Sequence, residues 1–265
     1  MKYLFRLDLS EVVDGFIGNY LVPRNSAKDA YLRRIVKSLM GKFGYSLGKS
    51  IDFLMLMGER HSLKYTFFVV GKLAKANPGL VEHLLAHGHE VASHSMTHVL
   101  PIRLTPAEFK KQLLESRAVL ESQGAEILGF RAPHLLLQDA QYGLLAETGY
   151  AYSSSKLWAR PPLPYQTPSG VVTEFPLHYQ DWNHHAVKHD IPFITQTVRE
   201  ALLPGNVLLF HPTFLGSPPY EKIWDRVFND PAIPRSVALR DFFRDDKRRA
   251  NSLSITIDLG LGRWE

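Results

Sequence analysis

From residue 64 to residue 211, short apolar segments alternate with stretches of helical period, and few architectures accept such a chain. Lys64–Val70, His89–Ala92, 126–131, Tyr150–Ser154, Val171–Leu177 and Asn206–His211 read as buried strands rich in β-branched and aromatic residues. Before the first of them Ser50–Arg60, and between them Pro78–Ala86, about Asp139–Thr148 and about Thr195–Leu203, read as helices. A further helix opens on Thr105-Pro106-Ala107-Glu108, a capping box with proline at the first helical position, and runs to about Gln123 before Gly124 stops it. Strands that alternate with helices must pair mainly in parallel, because each crossover returns the chain to the same end of the sheet. Right-handed crossovers then wind the sheet into a barrel or an open doubly wound layer, with any site at the C-terminal ends of the strands.

The remainder of the chain is read around that core. Residues 2–8 are expected to form a first strand that ends in Asp8, and Arg160–Pro168 a proline-rich loop. The chain closes with a polar helix-like stretch near 236–247 and an alternating strand of Leu253, Ile255, Ile257 and Leu259. The expectation is one domain over 1–265, with 11–48 an inserted basic helical segment and 217–265 a C-terminal extension.

Composition narrows the functional classes. A chain of 265 residues that is 45% hydrophobic can bury a substantial core. The net charge of +5 is modest, and no arginine-rich or zinc-finger motif supports nucleic-acid readout, so nucleic acid is not an expected partner. The absence of cysteine excludes disulfides and thiolate metal sites. No uninterrupted apolar run reaches the ~18 residues of a spanning helix, and the start lacks the apolar core of a signal peptide, so a cytoplasmic location is expected. Ser26–Phe43 carries Leu32, Ile35, Val36, Leu39 and Phe43 at helical spacing. Seven Lys or Arg fall between 21 and 50, against the single acid Asp29. This basic helix has the charge for peripheral contact with an anionic membrane; a solvated face on a packed helix is the plainer reading.

Chemistry is suggested first by Gly88-His89-Glu90-Val91-Ala92-Ser93-His94-Ser95-Met96-Thr97-His98. It runs from a strand into two histidines four apart, which on a helical turn would share one face and grip one cation. Two other pairs have the same spacing, His83 with His87 and His185 with His189, but only His94 and His98 follow directly on a strand end. Other strand ends add Asp8, Arg131 and His211, so several elements offer ionisable groups to one rim. A metal held by His94 and His98 would leave positions open for water and an acyl oxygen, which suits hydrolysis.

In order, these residues resemble the polysaccharide deacetylases of NodB-homology type, carbohydrate esterase family 4. The resemblance rests on Leu7-Asp8, on Thr66-Phe67-Phe68-Val69-Val70-Gly71, and on Gly88-His89-Glu90-Val91 leading to His94 and His98. It continues through Phe130-Arg131-Ala132-Pro133, Tyr152-Ser153-Ser154-Ser155, Glu174-Phe175-Pro176, Asp181-Trp182 and His211-Pro212-Thr213-Phe214-Leu215-Gly216. It implies an α/β fold, a distorted, incomplete (β/α) barrel of about seven parallel strands. It further implies that His94 and His98 ligate zinc or a similar cation, that Asp8 is the general base, and that Arg131 orients that aspartate. The backbone amide near His134 would stabilise an oxyanion, Trp182 would line the groove, Asp181 would tune a histidine, and His211 would protonate the leaving amine.

One position departs from the family. A second aspartate usually follows the base and ligates the metal, whereas Leu9 and Ser10 stand here. Asp8 itself as ligand or mixed ligand and base, Glu11 or Asp14, or a weakened metal site are the readings left open, with Asp8 preferred. The expected activity is removal of an acetyl or formyl group from the nitrogen of an amino sugar, nucleotide- or lipid-linked, with a carbohydrate or glycolipid as partner. The alternatives are an amidohydrolase for a small non-sugar amide and a catalytically degenerate glycan-binding protein.

Overall fold

The structure, a computed structural model, describes residues 47–157, 161–181, 191–212 and 218–260. The expected strand at 2–8 with Asp8, the basic helix at 26–43, Trp182, the pair His185 and His189, and residues 213–216 of the last motif lie outside the described residues.

The order is α1 (Leu47–Arg60), β1 (Tyr65–Val69), α2 (Gly71–Ala76), α3 (Leu80–Ala86), β2 (Glu90–Ser93), α4 (Pro106–Glu121), β3 (Gly129–Phe130), α5 (Tyr142–Glu147) and β4 (Tyr152–Ser153). There follow β5 (Leu163–Thr167), β6 (Gly170–Glu174), β7 (Tyr179–Gln180), α6 (Ile191–Ala201), β8 (Val207–Phe210) and α7 (Pro218–Phe228). The chain then runs through β9 (Arg235–Ser236), α8 (Leu239–Arg244), α9 (Asp246–Asn251) and β10 (Ser252–Leu259). The sheet order is β5-β6-β4-β3-β2-β1-β10-β8-β7, with β9 beside β10. Every pairing is parallel except β5 with β6. This is the curled, mostly parallel half-barrel expected of the fold class.

Three elements differ from the reading of the sequence. The proline-rich segment is a strand, β5, whose only ladder among the described residues is with β6, so Pro164 lacks its amide where few partners are needed. The helix expected over Pro78–Ala86 is α3, which starts at Leu80 after a left-handed turn at Gly79 (φ 88°), and a separate short helix not expected from the sequence, α2, precedes it. The closing strand is a central member of the sheet. β10 pairs with β1 along one edge and with β8 along the other, and all eight of its residues are buried.

Strand alternation sorts the core into two layers. Tyr65, Phe67, Val69, Ile255, Ile257, Leu208 and Phe210 face the helices. Phe68, Ala92, Tyr152, Val207 and Leu209 fill the inside of the curl with Leu239 and Phe242 of α8. Gly129 is bare because a Cβ there would lie 2.2 Å from Cζ of Tyr152, whose ring crosses the interior. The N-terminal end of the strands is sealed. The Glu90 carboxylate accepts from Tyr152 Oη, Thr66 Oγ1 and the Arg240 amide, and Thr66 Oγ1 accepts from the Leu239 amide. A carboxylate at the start of α8 suits the positive end of a helix. With that end sealed, the C-terminal end is left to carry a site.

Candidate active site

The ladder register sets one row of polar side chains at that end. Phe68 pairs with Ala92 on one side and Asp258 on the other, so Asp258 faces the same way as Ala92 and, two residues on, His94. Ser93 pairs with Phe130, which brings Arg131 level with His94. Phe130 pairs with Ser153, and Ile257 with Phe210, which add Ser154 and His211 to the row.

Arg131 is the buried hub. Its Nε donates to Ser154 O at 2.7 Å and Nη2 to Ser154 Oγ at 2.7 Å, while Nη1 donates to Thr256 Oγ1 at 2.9 Å and Asp258 Oδ1 at 2.8 Å. Its guanidinium also lies 4.1 Å from the centre of the Phe68 ring. A buried ion pair is tolerated only when its remaining hydrogen-bonding capacity is met, and Ser154 and Thr256 meet it here. Burial pushes the Asp258 carboxyl up, but Arg131, His94 and His211 outweigh it and hold its pKa below the usual range. The carboxylate beside Arg131 is thus Asp258, a residue the sequence reading passed over. The one available signal was that Ile257-Asp258-Leu259 repeats the residue pattern of Leu7-Asp8-Leu9, an apolar residue followed by aspartate and leucine.

The two histidines of the opening motif are brought together, but not on a helix. His98 and Ser95 have left-handed backbone (φ 59° and 68°), which breaks the helical turn the spacing suggested. The intervening loop is held from outside. Gly71 and Lys72 amides donate to Ser95 O and Met96 O, and Gln112 Oε1 accepts from Ser95 Oγ, Thr97 N and Thr97 Oγ1. Gly71 allows the approach, since a Cβ there would meet Met96 Sδ at 2.6 Å. The rings of His94 and His98 stand edge to face with centroids 4.8 Å apart. His134, whose backbone is also left-handed (φ 57°), brings its ring to 5.0 Å from that of His98. Strained backbone gathered at one place is a common mark of a functional centre. Burial and neighbouring histidines push all three pKa values down, that of His134 to about 4, so the imidazoles are neutral near pH 7.

Asp181 and His211 form the opposite wall. The buried Asp181 carboxylate accepts from His211 N and pairs with His211 Nδ1, both at 2.6 Å. Burial works to lower the His211 pKa, but Asp181, by charge and hydrogen bond, and Asp258 outweigh it and raise it. Ser50 Oγ on α1 donates to Pro212 O and fixes the chain just beyond.

Among the described residues, no group of three or more His, Asp or Glu side chains is drawn together closely enough to hold an ion. The donor chemistry nevertheless fits a divalent cation. His94 Nδ1 is tied to Arg131 O at 3.0 Å, a backbone anchor typical of ligating histidines, which turns Nε2 toward Asp258 Oδ2 at 3.8 Å. That gap is too long for a hydrogen bond and suits two ligands on either side of one ion, each about 2.0–2.2 Å from it.

A parallel (β/α) sheet curled around a sealed interior, with histidines, a carboxylate and a buried arginine on its C-terminal rim, has the build of a barrel enzyme. Comparison with known proteins agrees with this build. Residues 53–153 match the polysaccharide deacetylase family model. A chitooligosaccharide deacetylase of Sinorhizobium fredii is 29% identical over 176 residues, 65% of this chain and 69% of that protein. A peptidoglycan-N-acetylglucosamine deacetylase of Bacillus cereus is 24% identical over 153 residues, 58% of this chain and 62% of that protein. The chain thus spans about two thirds of the length of these relatives. In fold it is similar to a probable polysaccharide deacetylase from Pseudomonas aeruginosa, with a TM-score of 0.66 at 17% identity over 89% of this chain and 81% of that one. No described helix is long and apolar enough to cross a membrane.

Proposed function

We propose that this protein is a metal-dependent hydrolase that removes an acetyl group from the nitrogen of an N-acetylated amino sugar in a saccharide chain. The observation that carries the reading is the single row of His94, Arg131, Asp258 and His211 at the strand ends, with Asp181 locked onto His211. Water adds to the amide carbonyl, the C–N bond breaks, and acetate and a free amine leave. His94 and His98, with a carboxylate, would hold the cation, which polarises the acyl oxygen and lowers the pKa of bound water. Arg131 keeps Asp258 ionised. His211, its proton retained by Asp181, stands opposite to donate that proton to the departing nitrogen. The backbone amide at His134, whose backbone is left-handed, would supply the oxyanion donor.

The relatives named for chitooligosaccharide and peptidoglycan N-acetylglucosamine support a β-linked N-acetylglucosamine saccharide as substrate class, ahead of a nucleotide- or lipid-linked sugar. The full chain, incubated with zinc or cobalt and a chitooligosaccharide, should release acetate and expose one free amine per turnover. Failure to release acetate or formate from chitooligosaccharides, peptidoglycan fragments and lipid-linked amino sugars alike would remove the assignment.

Gln112 gives a second test, since its Oε1 holds the loop before His98. Gln112→Leu should leave the Thr97 amide without an acceptor, at a cost of about 1–3 kcal/mol. It should also lower kcat by roughly 10-fold or more, because small displacements of a reacting group are expensive. Gln112→Glu, which keeps the acceptor oxygen, should recover most of the rate. Equal rates in Gln112→Leu and the parent would show that the loop needs no such anchor.

A further inference from the structure

We propose that the metal-binding carboxylate of this site is delivered by the last described strand, β10: Asp258 Oδ2 binds the cation together with His94 Nε2, and Asp8 is not required for binding. The proposal rests on the reading of the site as a metal-dependent deacetylase.

Two segments carry the same signature, Leu7-Asp8-Leu9 near the start and Ile257-Asp258-Leu259 near the end. Among the described residues, the aspartate beside Arg131 is Asp258, carried in the slot between β1 and β8. A strand has two hydrogen-bonding edges, and β10 commits both. Tyr65 to Val69 pair with Ile255 to Leu259 on one side, and Val207 to Phe210 pair with Ser254 to Ile257 on the other. No second strand can enter between them.

The polar side of β10 is also cut for this position. Thr256 Oγ1 donates to Leu208 O and accepts from Arg131 Nη1, while Asp258 Oδ1 accepts from the same nitrogen. The carboxylate is therefore divided: one oxygen is spent on arginine and the other faces the ligating nitrogen of His94 across 3.8 Å. Such an arrangement makes a one-oxygen ligand of fixed direction. It also explains how the chain can lack a second aspartate after Asp8, since the acid is supplied from the other end of the sequence.

Cobalt binding to the chelator-stripped full chain separates the possibilities without any assay of turnover. Calorimetry and the visible absorption of bound cobalt would be followed in the parent, Asp8→Asn, Asp258→Asn and Asp258→Glu, with His94→Ala as reference. The parent and Asp8→Asn should bind one equivalent with the same affinity and the same spectrum. Asp258→Asn should weaken binding by about 100-fold and change the spectrum, as loss of a ligand requires. If Asp258→Asn does not fold, Asp258→Glu, which keeps the charge but moves the oxygen by one methylene, should still weaken binding by about 10-fold. A loss in Asp8→Asn equal to that in Asp258→Asn, or unchanged binding in both Asp258 variants, overturns the proposal, as does a parent that binds no cobalt. If binding follows Asp258 while no amino-sugar substrate is turned over, the ligand assignment stands and the deacetylase reading falls.

Discussion

Replacing Arg131 by leucine will cost the fold about 3–5 kcal/mol and lower the melting temperature by roughly 10 °C. The side chain is fully buried and makes four hydrogen bonds, two to Ser154, one to Thr256 and one to Asp258. Leucine fills part of the volume but leaves the Asp258 carboxylate buried without its cation, and an uncompensated buried charge is the expensive outcome. A loss of that size is a third or more of the whole stability of an ordinary domain of about 5–15 kcal/mol. Lysine will not rescue it fully, because one ammonium cannot reproduce the planar fork that reaches Ser154 on one strand and Asp258 on another. Urea denaturation of Arg131→Leu, Asp258→Asn and the double variant gives the coupling directly. The Arg131→Leu penalty should shrink by about 1–3 kcal/mol once Asp258 is neutral. A melting temperature within 2 °C of the parent would show that the pair contributes nothing to stability.

Why Asp258 escaped the reading of the sequence follows from the same pair. A strand with Leu253, Ile255, Ile257 and Leu259 on one side and Ser252, Ser254, Thr256 and Asp258 on the other looks half-solvated. Here both sides are buried, and the polar side is inside the curl because a buried guanidinium on β3 needs acceptors from β10. Pattern alone does not tell a solvent face from a polar interior, since the difference lies in a partner more than a hundred residues away. Local signals fared better. Thr105 and Glu108 form both bonds of the capping box, and the continuous apolar runs at β1, β2 and β8 are the inner strands that carry or flank the site. α7 went unread: it opens on Pro218-Pro219, and its inward side is set by packing of Trp224 on Phe53 of α1 and Phe210 of β8. His94 and His98 were legible as a pair, but the loop that brings them together depends on Gln112 and on the missing Cβ of Gly71, neither of which any spacing rule detects.

Asp181→Asn will lower kcat by about 100-fold or more and move the alkaline limb of the pH profile to lower pH. Asp181 is buried, and its two oxygens take the two donors of His211, the backbone amide and Nδ1. Asparagine has one acceptor oxygen, so it can satisfy only one of these and must turn an N–H toward the other. The proton on His211 then loses the charge that retains it. Because the folded pKa of His211 is raised, the parent stays protonated to higher pH than an ordinary histidine, and the variant will deprotonate earlier. The same shift makes a prediction about stability that does not depend on turnover. A raised folded pKa contributes stability that is fully present below the unfolded value of about 6.5 and is lost as pH rises through the folded value. Asp181→Asn should therefore lie furthest below the parent in melting temperature at mildly acid pH, and the gap should narrow as pH is raised above the His211 titration. NMR titration of the His211 ring in both proteins reads the shift itself. A gap in melting temperature that is the same at pH 6 and pH 9, with an unmoved alkaline limb, would mean that Asp181 holds the His211 ring in place without holding its proton.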